Sequence, residues 1–171
     1  MLKPQDIVVA MKILSKNAEP WAQGSLASEL GMSASEVNAG IRRALAAGLL
    51  RVKEKKVLPV KAALEEFLVH GLKYVFPAER GEPTRGLATG YAAEFFTGQF
   101  VSSDELPPVW ADAEGTVKGY ALKPLYKCVP SAVKLDKKLY EYLALIDILR
   151  GGRAREVQIA KNLLREALQA K

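Results

Sequence analysis

The sequence predicts a mainly α-helical chain with a small β component, and three observations lead there. Apolar residues recur at helical spacing through residues 4–16, 25–31, 33–46, 61–76 and 136–170. Two short apolar flanks, 47–53 and 57–59, enclose a charged tip and read as a hairpin. Residues 77–130 hold six of the nine prolines, which argues against regular helix and for an irregular region with short strands.

A chain of 171 residues can bury one sizeable core or two small ones. Its 49% hydrophobic and 26% charged residues are an ordinary globular balance. The net charge of +6 suits a polyanionic partner without requiring one. The excess sits at the two ends. Residues 1–60 carry nine Lys/Arg against five Asp/Glu, residues 61–130 seven against nine, and residues 131–171 nine against five. Phosphate-backbone binding and plain solvation of helical faces both fit that distribution. One cysteine, Cys128, excludes an intramolecular disulfide, and with a single histidine it cannot make a typical zinc site. No apolar run approaches the roughly 20 residues that span a membrane, and Lys12 and Lys16 interrupt any signal-peptide core. The expected setting is the cytoplasm, with no membrane contact and no cofactor.

Pro4 suits a first helical turn, and Asp6 adds the negative charge favoured there. Ile7, Val8, Met11 and Leu14 then mark an amphipathic helix over residues 4–16, which Asn17–Pro20 breaks. Trp21 follows as an anchor over the next small core. Leu26, Ala27 and Leu30 share a face of a second helix over residues 25–31, with Gly31 as its left-handed stop. Ser33 and Glu36 form a capping box for a third helix, buried along Val37, Ile41, Ala44 and Leu45 and stopped by Gly48.

Two helices joined by a short glycine-containing turn make a helix-turn-helix unit. Ala27, Gly31 and Val37 have that spacing, and Ala47-Gly48-Leu49-Leu50 leads into a hairpin with the tip Glu54-Lys55-Lys56. Residues 1–60 therefore resemble the winged helix-turn-helix regulators, including the MarR-like group, over about a third of the chain. Gly40 departs from the pattern, because a larger apolar residue is usual at that helix contact; Ile41 is expected to fill the gap. The resemblance implies a recognition helix in the major groove and a wing on adjacent phosphates. Its base-facing set would be Ser35, Asn38, Ala39 and Arg42, with Asn38 suited to adenine and Arg42 to guanine. Ser33, Arg43, Arg51, Lys53, Lys55 and Lys56 would meet phosphates.

Leu64, Phe67, Leu68, Leu72 and Val75 predict a linking helix over residues 61–76, and His70 on it has no partner at metal-ligand spacing. In the Pro/Gly-rich stretch one strand is predicted, Val117–Leu122. Arg80, Thr84, Arg85 and Thr89, interleaved with glycines, form a candidate anion or effector loop, although no Walker or dinucleotide pattern is present. A packed loop with satisfied arginines is the competing reading, and Tyr91, Phe95, Phe96, Phe100 and Trp110 are expected in the core. Leu139, Tyr142, Leu143, Ile146 and Leu149 define a helix that Arg150-Gly151-Gly152 ends, and Val157 to Leu168 define another. This hairpin over residues 131–171 is the expected dimer contact, with packing on the middle region as the rival reading.

The organisation expected is thus a winged helix-turn-helix over 1–60, a linker helix and irregular α+β region over 61–130, and a helical hairpin over 131–171. The function expected is a homodimeric, sequence-specific regulator binding double-stranded DNA. The alternative is an antitoxin-like or defence-system component that holds a protein partner while the N-terminal unit autoregulates. An enzyme is the least favoured, because no base or nucleophile stands beside a positioned partner.

Overall fold

The computed structural model describes residues 1–101 and 103–170 and is mainly helical with small sheets. Helix α1 (Pro4–Ser15) begins on its proline, with Asp6 accepting the Lys3 backbone N–H at 2.8 Å. Helix α2 (Gln23–Leu30) ends where Gly31 takes a φ of 67°, the conformation that glycine adopts without a Cβ penalty. Helix α3 (Ala34–Ala46) opens on the predicted capping box: the Glu36 N–H donates to Ser33 Oγ at 3.1 Å, and the Ser33 N–H to Glu36 Oε2 at 2.8 Å.

Strands β1 (Leu50–Lys53) and β2 (Lys56–Pro59) pair antiparallel, with Val52 opposite Val57 and Lys53 opposite Lys56. The connecting residues Glu54 and Lys55 have φ of 52° and 64°. Two consecutive left-handed residues are what a tight two-residue hairpin needs to match strand twist. The linking helix is α4 (Lys61–Glu66), a π turn (Phe67–Gly71) and α5 (Leu72–Val75) in succession. The π turn was not foreseen; it lays the Phe67 ring against Gly71, where a Cβ would stand 3.0 Å from ring carbon Cδ2.

The middle of the chain is more regular than its composition suggests. Strands β3 (Arg80–Ala88), β4 (Pro108–Ala111) and β5 (Val117–Leu122) close on one another, β3 antiparallel to both and β4 parallel to β5. Only β5 had been expected. The glycines that argued for irregularity are the residues that permit closure. A Cβ on Gly86 would lie 1.9 Å from the Trp110 carbonyl oxygen, and one on Gly119 2.0 Å from that of Pro107. Helix α6 (Val129–Lys134), also unforeseen, carries Pro130 in its first turn, where the missing N–H costs nothing.

Helix α7 (Lys137–Gly151) is the axis of the fold. Asp136 caps it by accepting the Leu139 N–H at 3.0 Å, and every residue from Tyr142 to Leu149 is buried. A helix buried on all sides belongs to a core rather than to a surface. Helix α7 packs against α1, α5, α6, α8 (Ala154–Gln169) and the turn at Gly90–Ala92. The 131–171 hairpin therefore packs within the chain, and α7 offers no face for pairing two copies. Only α8 keeps an exposed side, with Ala160, Leu164, Ala167 and Leu168 turned inward.

One buried core runs from α1 through α7 to α8, across all three predicted segments. Two of its polar anchors tie distant parts of the chain together. Asp147 accepts from Thr89 Oγ1 at 2.7 Å, Trp110 Nε1 at 2.8 Å and Arg150 Nη1 at 2.9 Å, joining α7 to β4 and to the residue that follows β3. Lys12, only 2% exposed, pairs with Asp136 at 2.9 Å and Glu29 at 3.2 Å.

Candidate nucleic-acid interface

Helix α3 turns Val37, Gly40, Ile41 and Ala44 into the core. Its opposite face leaves Ser35, Asn38 and Arg42 exposed and Ala39 half-buried, so the predicted base-facing residues share one accessible stripe. Gly40 lies where α1 crosses: a Cβ there would meet Asp6 Oδ1 at 3.2 Å and Val9 Cγ2 at 3.3 Å. Closer approach of α1 closes the gap that Ile41 was expected to fill. Trp21 is half-buried against the same core, as anticipated.

The hairpin beside this face exposes Arg51, Lys53, Lys55 and Lys56. Neither these four nor Arg42 enters an ion pair among the described residues. Like-charged Lys53 and Lys56 stand directly opposite in the ladder, an arrangement that disfavours the hairpin by itself and concentrates positive charge at its tip.

Two of the proposed phosphate contacts are committed elsewhere. Arg43 turns back on α1, its Nε and Nη2 donating to the Asp6 carboxylate at 2.7 and 2.8 Å. Asp6 is fully buried, so this bidentate pair is a structural clamp between α1 and α3, not a free cation on the exposed stripe of α3. Ser33 stays exposed, but its hydroxyl serves the α3 cap.

Sequence spacing gave no sign of Tyr126, which approaches from 90 positions away. Its hydroxyl donates to Glu36 Oε1 at 2.5 Å, and with the Ser33 bonds this holds the Glu36 carboxyl down at about 2. Lys127, next along the chain, is exposed and close enough for its charge to act on Glu36. A further cation thus stands by the opening turn of α3.

The candidate anion loop does not form. Arg80, Thr84 and Arg85 lie on extended strand β3, where the neighbours Thr84 and Arg85 point to opposite faces and cannot converge on one anion. Thr89 is buried and spends its hydroxyl on Asp147. Arg80 instead stacks over the Tyr120 ring, 3.7 Å from its centroid. His70 is exposed on the π turn, and burial pushes the Cys128 thiol up to about 11.

The chain matches no family model, no curated protein and no solved structure. Among the described residues no three His, Cys, Asp or Glu side chains gather to hold a metal ion, and no helix is long and apolar enough to cross a membrane.

Proposed function

We propose that residues 1–60 act as a winged helix-turn-helix and that the protein is a sequence-specific regulator binding double-stranded DNA. The observation that carries this reading is the pairing of two surfaces. One is the α3 stripe of Ser35, Asn38, Ala39 and Arg42; the other is the unpaired basic tip Arg51, Lys53, Lys55 and Lys56. An exposed helix of 13 residues fits a major groove, and Asn and Arg on its face match the edges of adenine and guanine. The hairpin beside it supplies a sequence-blind attraction to phosphates. Lys127 extends the basic set on the other flank of α3.

Pairing of two copies on a palindromic site belongs to the same proposal, with the outer face of α8 as the surface left for it. Selection of bound sequences from random duplexes, followed by titration of the best one by fluorescence anisotropy, tests the reading. An enriched site whose affinity falls steeply with salt is the result expected. Failure of any duplex to bind at low salt, or binding indifferent to Arg42→Ala, overturns it. Sedimentation of the free protein and of the complex decides the stoichiometry.

A further inference from the structure

A cavity of about 580 Å³ opens between the closed strands and the turn joining α7 to α8. That is the size of a small-molecule site, and all its lining residues lie at or beyond Pro77, apart from the α3 face. Its lining includes the apolar side chains of Phe100, Ile148 and Ile159 and the polar ones of Arg80, Tyr91 and Tyr120.

The cations of this cavity differ in what they are free to do. Arg150 is fixed, its Nε and Nη2 donating to the carbonyls of Phe76 and Pro77 at 2.8 and 3.1 Å while Nη1 holds Asp147. Arg153 holds both carboxylate oxygens of Glu105 at 3.2 Å, and Glu156 accepts the Arg153 backbone N–H at 2.9 Å. Arg80 and Arg155 have no carboxylate partner among the described residues. Stacking on Tyr120 uses the face of the Arg80 guanidinium and leaves its N–H edge available. The hydroxyls of Tyr91 and Tyr120 donate to no described group, and burial pushes both phenols up, so each stays a donor at neutral pH. Arg80 is the leading charge on the Tyr120 phenol, while Glu156 and Glu105 act on Tyr91 ahead of Arg153 and Arg80.

We propose that this cavity binds a small organic carboxylate with a flat apolar body. The carboxylate sits on the Arg80 edge and the Tyr91 hydroxyl, and the body lies against Phe100, Ile148 and Ile159. Of the three lining carboxylates, Asp147 is held by Thr89, Trp110 and Arg150 and Glu105 is paired with Arg153, while four arginines line the same cavity, so the balance of charge does not favour a cationic ligand. This inference stands apart from the DNA-binding reading and is tested on the full chain without DNA.

The probes are benzoate, phenylacetate and indole-3-acetate, each against benzamide and benzylamine as neutral and cationic counterparts, followed by isothermal calorimetry and thermal shift. The carboxylates are expected to bind and raise Tm, and the amide and amine are not. Arg80→Gln is expected to weaken carboxylate binding roughly tenfold or more, the loss of a charged hydrogen-bonding partner. Ile159→Trp, which fills the apolar side, is expected to abolish it. Circular dichroism establishes that each variant is folded. Carboxylates that bind no better than the amide, preference for the amine, or two folded variants that bind as the parent does would each overturn the proposal.

Discussion

The Arg43 guanidinium grips both oxygens of Asp6, and the two partners differ in their access to water: the Asp6 side chain has none, whereas that of Arg43 is 24% exposed. Removing either partner therefore has unequal consequences. Arg43→Ala leaves a carboxylate sealed between α1 and α3 and is expected to cost about 3–5 kcal/mol. Asp6→Asn leaves a cation that can turn to solvent, and about 1–3 kcal/mol is expected. Urea denaturation of the two variants gives the comparison; equal losses would contradict the asymmetry.

The Tyr126–Glu36 bond predicts a pH dependence. Glu36 has a folded-state carboxyl at about 2, below its ordinary 4.5, so it binds its proton less readily in the folded chain than in the unfolded one. Its stabilisation is complete above the ordinary value and is lost as pH falls from there toward about 2. Tyr126→Phe removes the largest cause of the shift, and its Tm is expected to fall less steeply across that window. Thermal melts of both proteins between neutral pH and the acid limit decide it, and parallel curves would refute it.

Two glycines give opposite outcomes when replaced by alanine. Gly86 faces the Trp110 carbonyl too closely for any Cβ, so Gly86→Ala must break the β3–β4 pairing or move it, at about 1–3 kcal/mol or more. Gly24 lies in α2 with nothing within 4 Å of its Cβ position. Gly24→Ala is expected to stabilise by about 0.4–1 kcal/mol. Denaturant midpoints read both signs.

On DNA, the face and the tip of the N-terminal unit are expected to separate. Arg42→Ala should cost about 1–3 kcal/mol on the selected sequence and little on unrelated duplex. A Lys55→Ala, Lys56→Ala double variant should weaken both equally and lower the salt slope by about 2. Anisotropy titrations at several salt concentrations distinguish these patterns.

The N-terminal elements were legible because their signals are local. Pro4, Gly31, the Ser33–Glu36 box and the charged tip Glu54-Lys55-Lys56 each act within a few residues, and the structure keeps the first three where the sequence put them and shortens the tip by drawing Lys56 into β2. The closed strands were not legible. Their glycines matter only for carbonyls on other strands, such as Trp110 for Gly86, and in the linear sequence they look like loop. Arg43 was misread for the same reason, since its charge is answered 37 positions upstream. Helix α7 was foreseen as a helix, but its apolar stripe gave only one of the faces that the fold buries. The Arg80–Thr89 stretch drew attention for its arginines, and of those four residues only Arg80 lines the cavity.

Lys12 meets its carboxylate, Asp136, 124 positions further along. Severing the first sixty residues would leave this sealed ammonium with Glu29 alone of its two counterions while stripping the apolar cover from α1. The N-terminal unit is consequently not a ready-made portable cassette: transplanted onto a foreign protein, it would arrive with a half-answered charge beside a bared apolar face.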